Sequence, residues 1–468
     1  MSNLVDYLEE VSMRRKFFTA FAGVVSFLMI GAMTADAADV TFGGRIRPRY
    51  EYWNLQNSDS QYIDMLTRLD AKAKIDDNTS AFIQLQANSR WGSQANGTVN
   101  NRASNPISGN DTTTDVGIHQ AYFTLNKFFG APVDLQIGRQ EVVLDGHRLL
   151  GNTVWTQGMM SHDALRLTHA HDNMTLVYVY SKAQEQSSRA GAGGAFPGAS
   201  TDDVDDIDAH VLWGNFKGLL GDNSSTSVYV VYADADQNAG APAAPGSADF
   251  YTVGARQAGG FGDISYRGEF YYQMGKSGLA APGGANGDMS AFLFGARVGY
   301  TAKNVAMKPS LTLWFDYLSG TDAADAAVGD NNTFNTLFDT GHKYYGLMDF
   351  FIHNTTGNGS HPNGGLIDYA VKASVQPTAN TTLKVDYHMF QVAEDDRCGT
   401  CTAGGSNPTT LGNEVDVTLV HKYSASTVMS LGYAHMFSNE LLSNYNGGAR
   451  IQNFEDADWL YVQFDVMF

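Results

Sequence analysis

The stretch Thr41–Trp53, TFGGRIRPRYEYW, alternates charged side chains with apolar and aromatic ones. Its charged positions are Arg45, Arg47, Arg49 and Glu51. Because successive side chains of a β-strand point to opposite faces, this pattern predicts a strand with one charged wall and one apolar wall. Such a strand fits a soluble sheet with its charged wall in bulk water. It also fits a membrane barrel with its charged wall facing a wet lumen and its apolar wall facing lipid.

Similar alternating segments recur along the chain and decide between these two folds. Each is close to the ~9–11 residues that a tilted strand needs to cross a bilayer. We predict strands at 40–54, 62–76, 80–92, 117–128, 133–145, 162–172, 174–185, 206–218, 225–237, 249–260, 263–277, 288–302, 307–320, 364–376, 381–394, 411–424, 427–439 and 456–468.

The length of each connection depends on whether it follows an even-numbered or an odd-numbered strand. After even-numbered strands they are tight, as at Asp172-Asn173 and Ala425-Ser426, whereas after most odd-numbered strands they are long, as at 321–363. Outer-membrane barrels show this alternation, while a soluble β-sandwich has no reason to sort its connections. The chain therefore predicts an all-β fold, an 18-stranded antiparallel transmembrane β-barrel with short periplasmic turns and long extracellular loops.

The first 37 residues have the composition of a secretory signal peptide. A basic run, Arg14–Lys16, precedes the apolar run Phe17–Met33 and the small-residue cleavage site Ala35-Asp36-Ala37. We expect residues 1–37 to be removed, with residues 38–468 forming the barrel in the bacterial outer membrane. The acidic residues before this leader suggest the hypothesis that translation starts at Met13.

Charge and cysteine content limit the partners. A formal net charge of −19 disfavours a nucleic-acid partner, which would require a basic surface. The two cysteines, Cys398 and Cys401, lie in one predicted loop, and an oxidising compartment favours a local disulfide over a metal site. No cofactor or metal is expected.

In the predicted strands, charged side chains occupy alternate positions and therefore one face, which we expect to line the pore. These are Arg45, Arg47, Arg49, Glu51, Arg68, Asp70, Lys72, Arg90, Arg166, Arg256, Arg267, Glu269, Arg297, Asp316, Lys384, Asp386 and Asp416. Clustered arginines inside a pore favour anions, and their guanidinium groups can hold a carboxylate bidentately. The alternative is that these charges pair with luminal carboxylates and hold the wall and loops together.

One stretch breaks the alternation and has the character of a family signature. Its residues include Gly138, Arg139, Gln140, Asp145, Gly146, Arg148, Gly151, Asn152 and Asp163. With the stretches His342–Phe351 and Leu411–Thr418, it resembles the alginate export family of outer-membrane barrels. The aromatic C-terminal strand, Asp458–Phe468, resembles the assembly signal of such barrels. The resemblance implies an eighteen-stranded barrel with an arginine-rich conduit for an acidic polysaccharide.

These observations predict a passive outer-membrane channel for an anionic solute or acidic polysaccharide. The alternatives are a general or small-solute porin and a structural or adhesive barrel plugged by its loops. Lipid and lipopolysaccharide are the expected surroundings, and the sequence does not identify a periplasmic partner. No enzyme is expected, because the adjacent Ser161, His162 and Asp163 would point to opposite sides of a strand. The aromatic stretch His342–Phe351 is expected to fold into the lumen or against a neighbouring loop.

Overall fold

A computed structural model describes residues 39–55, 58–91, 116–184, 207–235, 248–280, 286–351, 364–394, 409–438 and 456–468. Within these ranges, eighteen antiparallel strands form one closed sheet, because each strand pairs with its neighbours in sequence and β1 pairs with β18. The predicted barrel is confirmed. The predicted disulfide cysteines, Cys398 and Cys401, lie outside the described residues.

The strands are β1 Asp39–Leu55, β2 Ser58–Lys74, β3 Thr79–Arg90, β4 Gly117–Leu125, β5 Asp134–Gln140, β6 His162–His171, β7 Met174–Gln184, β8 Ile207–Lys217, β9 Ser224–Ala235, β10 Ala248–Phe261, β11 Ile264–Ala280, β12 Asn286–Thr301, β13 Ser310–Leu318, β14 Leu366–Thr378, β15 Thr381–Gln391, β16 Thr410–Lys422, β17 Thr427–Ser438 and β18 Asp456–Met467. Tight turns close one end of the barrel, here called the turn end, and long connections occupy the opposite loop end. No helix in the described part of the chain is long and apolar enough to cross a bilayer.

The alternation in β1 predicts its two faces correctly. Ile46 is 40% exposed on the outer surface, whereas Arg47 is 2% exposed inside. Large apolar side chains recur on the outer surface of distant strands, as Leu212, Val298 and Leu313 do. A band of this kind is stable only against lipid, so the outer surface matches a membrane-spanning barrel.

The barrel closes where β1 meets the C-terminus. Gly44 donates its N–H to the carbonyl of Phe468 at 2.8 Å and accepts the N–H of Phe468 at 3.1 Å. A Cβ at Gly44 would lie 2.5 Å from the Phe468 ring and 2.8 Å from the carbonyl oxygen of Arg68. Glycine is required here because three backbones and a terminal ring meet at one point.

Most predicted strand ends lie within three residues of the observed ones. β2 begins at Ser58, four residues before its predicted start, and the largest difference is at the end of the fifth strand. We predicted the fifth strand at 133–145, but β5 ends at Gln140 and the chain then turns into the barrel. Val142 and Leu144 share one parity as in a strand, yet both are buried inside the lumen. Asp145 has a φ of 46°, a left-handed conformation that ends any extended run.

Two long connections fold back into the lumen from the loop end. We call residues 141–161 the first inner segment and residues 319–351 the second inner segment; the second contains a short helix, α1 Ala323–Val328. The two segments pair with each other, since Gly151 donates to the Phe338 carbonyl at 2.8 Å and Phe338 donates to the Leu149 carbonyl at 2.9 Å. The stretch His342–Phe351 was expected to fold into the lumen or against a neighbouring loop; His342 stacks on Trp155 of the first inner segment, and Tyr344 and Phe351 are buried, in agreement with that expectation.

The inner segments pack on one apolar sector of the wall. Val177, Val179, Val211 and Val231 point inward from β7, β8 and β9 and are almost completely buried. They join one continuous core with apolar side chains of the inner segments, including Phe338. This sector differs from the charged lumen that β1 predicts, because here the lumen contains protein rather than water.

Candidate functional site: a charged cavity beneath the inner segments

Asp145 anchors the first inner segment to the wall. Its carboxylate accepts hydrogen bonds from Trp213 at 3.0 Å, Ser227 at 2.9 Å and Tyr229 at 2.5 Å. Arg256 of β10 lies 3.5 Å from the same carboxylate. One motif residue therefore joins three neighbouring strands, β8 to β10, to the segment inside them.

Arg148 anchors the same segment on the adjacent sector. Its guanidinium contacts both oxygens of Asp316 at 2.8 Å, Glu269 at 3.1 Å and the hydroxyl of Tyr345 at 2.8 Å. Arg297 reaches Glu269 at 2.6 Å and Asp316 at 3.3 Å from the wall. Burial disfavours the charge of Arg148, but Asp316 and Glu269 outweigh it and raise the pKa of this guanidinium.

Glu141 forms a third anchor at the start of the first inner segment. It accepts hydrogen bonds from Arg68 at 3.3 Å and from Asn152 at 2.8 Å, and it lies 2.8 Å from the imidazole of His119. Burial alone would raise the pKa of Glu141, but the bonds to His119 and Asn152 and the charge of Arg68 lower it instead. Glu141 is therefore an ionised link between the segment and strands β2 and β4.

The motif glycine Gly151 allows the inner segments to approach each other. A Cβ there would lie 2.3 Å from the Thr340 hydroxyl and 2.7 Å from the Cβ of His147. Gly146 lies nearby, in the same segment, and Gly138 and Gln140 end β5 before it. The motif thus encodes the return of the chain into the lumen.

Arg47 holds the far side of the first inner segment. It donates to Gln157 Oε1 at 2.9 Å and to the carbonyls of Val154 at 2.6 Å and Thr156 at 2.7 Å. No carboxylate among the described residues forms a salt bridge with Arg47. Its positive charge is therefore balanced only by neutral dipoles.

Arg49 pairs with Glu51 on the same strand at 2.7 Å. It also donates to the Trp155 carbonyl at 2.7 Å, and its guanidinium stacks 3.8 Å from the Trp155 ring. His342 of the second inner segment stacks on the same ring, with centroids 4.1 Å apart. This charge joins wall and loops, as the ion-pair alternative predicts.

The other candidates divide into paired and unpaired groups. Salt bridges join Arg45 to Asp465, Arg90 to Asp64, Arg267 to Glu269 (at 3.9 Å) and Asp386 to Lys372, and Asp70 accepts from Gln84. Lys72, Arg166 and Lys384 have no ion pair among the described residues. Arg139 and Asp163 of the motif pair at 2.7 Å on the outer surface, and His162 is buried inward. The serine, histidine and aspartate at 161–163 therefore do not converge.

A cavity of about 460 Å³ remains between the inner segments and the turn end. Strands β1, β14, β15, β16 and β18 and both inner segments supply its lining, which includes Trp155 and Tyr461. Its charged lining residues are Arg45, Arg47, Lys343, Lys372, Lys384, Asp386 and Asp416. Five of these are cations and two are carboxylates, so positive charge prevails even though the whole chain is acidic.

Two further inner-segment groups have shifted pKa values. Burial lowers the pKa of the Lys343 ammonium, and repulsion from Arg267 and Arg256 lowers it further. Burial raises the pKa of the Asp339 carboxyl to about 8, with Arg148 partly opposing the shift. The lowered pKa of Lys343 thus results mainly from burial, with a smaller effect from the arginines of β10 and β11.

Several important groups were not among the sequence candidates. Gln157 carries no pattern that marks it, because it acts through a contact distant in the chain. Lys343 lies in the stretch His342–Phe351 but was not among the pore-lining candidates, and Lys372 could have been found on the inward parity of β14. His388 could have been found, since it lies two residues after Asp386 on the inward parity of β15.

Known outer-membrane barrels share this fold. The chain aligns over 92% of its length with Pseudomonas aeruginosa OccK8 (OprE), covering 98% of that chain at 12% identity and a TM-score of 0.54. Acinetobacter baumannii OccAB3 gives 9% identity, coverage of 92% and 99%, and a TM-score of 0.55. Pseudomonas aeruginosa OccK2 (OpdF), solved in complex with glucuronate, gives 12% identity, coverage of 92% and 98%, and a TM-score of 0.51. These identities establish a shared fold and nothing finer.

No curated protein sequence matches the chain significantly. The sequence profile of the alginate export family, in contrast, matches residues 39–454, which is most of the chain. The matched range contains the Asp145 and Arg148 anchors and both inner segments. The family and the fold are those of transport channels rather than enzymes. The chain therefore belongs to the alginate export family of bacterial outer-membrane β-barrels.

Proposed function

We propose that this outer-membrane channel passes small anionic solutes, of the size and charge of a sugar carboxylate, through the cavity beneath the inner segments. The observation that carries the proposal is a pair of cations, Lys343 and Lys384. Both line the cavity, and neither has a salt-bridge partner among the described residues. Cations without protein counter-charges attract mobile anions and supply the donors that a carboxylate needs.

The inner segments favour a small solute over a polysaccharide chain. They are held by buried ion pairs and by an apolar core, not by a few exposed contacts. Opening a lumen wide enough for a polymer would break the Arg148 and Asp145 anchors together. The remaining cavity, about 460 Å³, is within the ~300–1,000 Å³ range of small-ligand sites.

A similar barrel supports the choice of chemistry. OccK2 was solved with glucuronate, a sugar carboxylate. Shared fold does not transfer a ligand. The unpaired cations of this chain nevertheless suit the same class of solute on their own chemistry, because ammonium and guanidinium groups both donate to carboxylates.

The proposal includes the route to the membrane. Residues 1–37 act as a cleaved leader, and lipid and lipopolysaccharide surround the outer surface. The predicted disulfide between Cys398 and Cys401 belongs to the same expectation of an oxidising compartment. N-terminal sequencing of the protein from outer membranes should begin at Ala38.

Single-channel recording with glucuronate as the probe tests the proposal. We expect glucuronate to interrupt the current at concentrations where neutral glucose does not. The double variant Lys343→Gln, Lys384→Gln should weaken this block about 30-fold or more, since two contacts of at least ~1 kcal/mol each are lost. The matched control, Lys276→Gln with Lys303→Gln, removes the same charge from exposed sites outside the cavity and should leave the block unchanged. Equal block by glucose, or equal loss in both double variants, would refute the proposal.

A further inference from the structure

A cluster of metal-ligand side chains borders the cavity on β15 and β16. Asp386 and His388 lie on β15, and Asp416 lies opposite Asp386 on β16. One potential ligand atom from each residue lies within 4.8 Å of those of the other two. Two aspartates placed directly opposite on adjacent strands repel each other while both are ionised, and a cation between them removes that repulsion.

His388 is oriented as metal-binding histidines are. Its Nδ1 lies 2.9 Å from a carboxylate oxygen of Asp368, and both side chains are completely buried. This contact fixes Nδ1 as the protonated nitrogen and leaves Nε2 as the lone-pair nitrogen on the side of Asp416, 3.9 Å away. A histidine held by a second carboxylate in this way is the usual outer support of a metal ligand.

Asp416 is buried without a hydrogen-bond donor. It is 2% exposed, and neither of its carboxylate oxygens has a hydrogen-bond partner among the described residues; His388 Nε2 lies 3.9 Å away. The group beside it on the same face of β16 is another acid, Glu414. Asp416 nevertheless lines the cavity, so an ion arriving there could reach its oxygens. A buried carboxylate of this kind is costly while it is ionised, and a bound cation offsets that cost.

The ammonium of Lys372 occupies the position where a cation is needed. It lies 2.8 Å from Asp386 and 2.9 Å from His388 Nε2, and it too borders the cavity. A lysine ammonium on a flexible stem is a single charge with no fixed coordination geometry. It can withdraw into the cavity when a better ligand for the three side chains arrives.

We infer that Asp386, His388 and Asp416 form a binding site for a divalent first-row transition metal, of which Zn²⁺ is the simplest probe. One imidazole and two carboxylates are a donor set that suits such ions better than Ca²⁺ or Mg²⁺, which prefer oxygen alone. Metal–ligand bonds of ~2.0–2.2 Å bring ligand atoms to about 3.4 Å apart, so small side-chain rotations complete the site. Asp386 and Asp416 line the cavity, so an ion can enter the site from there.

Zinc binding to the refolded full-length barrel in detergent tests the site, by competition with a chromophoric chelator. We expect one Zn²⁺ per barrel. His388→Ala and Asp416→Asn should weaken binding by about 100-fold, and Asp368→Asn, which only orients His388, by about 10-fold. Lys372→Met should bind Zn²⁺ more tightly than the wild type, because the competing ammonium is gone. This gain cannot result from misfolding.

A matched control separates this site from adventitious histidine binding. His435 lies 2.8 Å from Asp458 and is partly exposed on β17, so His435→Ala removes a comparable histidine–carboxylate pair. It should leave Zn²⁺ affinity unchanged. Anomalous X-ray scattering at the zinc edge should place the ion next to His388 Nε2. Wild-type affinity in His388→Ala and Asp416→Asn, or weaker binding in Lys372→Met, would overturn the inference.

Discussion

Replacing Arg148 with methionine should release the first inner segment from the wall. Methionine keeps much of the side-chain volume but removes the contacts to Asp316, Glu269 and Tyr345. Arg148 also stacks on the ring of Tyr344, with its guanidinium carbon 3.7 Å from the ring centroid. All of these contacts are buried, so the variant leaves charged groups in a site that water does not reach.

The magnitude follows from what remains in the cluster. Removing one partner of a buried ion pair costs about 3–5 kcal/mol when the other charge is left uncompensated. Arg297 still contacts Glu269 and Asp316 in the variant, so the lower end applies. A loss of about 3 kcal/mol corresponds to roughly 150-fold more frequent opening of the segment.

Hydrogen exchange measured by mass spectrometry reports this opening directly. Peptides covering the first inner segment should exchange about 150-fold faster in Arg148→Met, while β-strand peptides should keep their wild-type rates. Arg139→Met is the matched control, because this motif arginine pairs with Asp163 on the outer surface, where the two side chains are 34% and 55% exposed. Exposed pairs contribute only about 0–1 kcal/mol.

The reasoning would be refuted if Arg148→Met exchanged at the wild-type rate in this segment. It would also be refuted if Arg139→Met produced the same acceleration. The first outcome would mean that the apolar core alone holds the segment. The second would mean that the motif acts through β5 and β6, not through contacts inside the lumen.

Three further predictions concern single residues. The pKa of Asp339 is raised to about 8 in the folded state. The stability that this carboxyl contributes is therefore complete below about pH 4 and is lost as the pH rises through about 8. The melting temperature of Asp339→Asn between pH 5 and 9 should depend less on pH than that of the wild type. Gly44→Val should impair barrel closure at Phe468, seen as less folded protein by heat-modifiable gel mobility, whereas Gly268→Val, where a Cβ meets nothing within 4 Å, should fold normally. As the pH rises, anion selectivity should begin to decline at a lower pH than an ordinary lysine would give, because the pKa of Lys343 is lowered. Lys343→Gln should abolish that part of the decline.

The alternating pattern predicts the barrel wall, because the face to which a wall side chain points depends only on its position within its own strand. Ile46 is exposed on the lipid-facing surface and Arg47 is buried in the lumen, because successive side chains of a strand point to opposite faces. The parity of connection lengths adds the direction of each strand. Together these signals predict all eighteen strands, since neither requires knowledge of long-range contacts.

The lumen could be predicted only in part, because its chemistry depends on contacts between distant residues. Sequence analysis places Arg47 on the inner wall, but its partner Gln157 is 110 positions away. Nothing in the sequence around Asp145 indicates that side chains from three strands will contact its carboxylate. Val142 and Leu144 alternate as in a strand, and their burial against the inner segments is what made the predicted end of β5 too late.

The family motif illustrates the same limit. Its residues identify the family, yet their pattern does not indicate which of them point to the outer surface and which into the lumen. Arg139 and Arg148 are both arginines of one motif, but the first lies on the outer surface and the second is 2% exposed inside the barrel. The difference arises because the chain leaves β5 between them.

The sign of the reversal potential in a potassium chloride gradient tests the central claim most directly. A cavity with unpaired Lys343 and Lys384 predicts an anion-selective wild-type channel, with selectivity reduced in the Lys343→Gln, Lys384→Gln variant. A cation-selective wild-type channel whose reversal potential is the same in that variant would contradict the account.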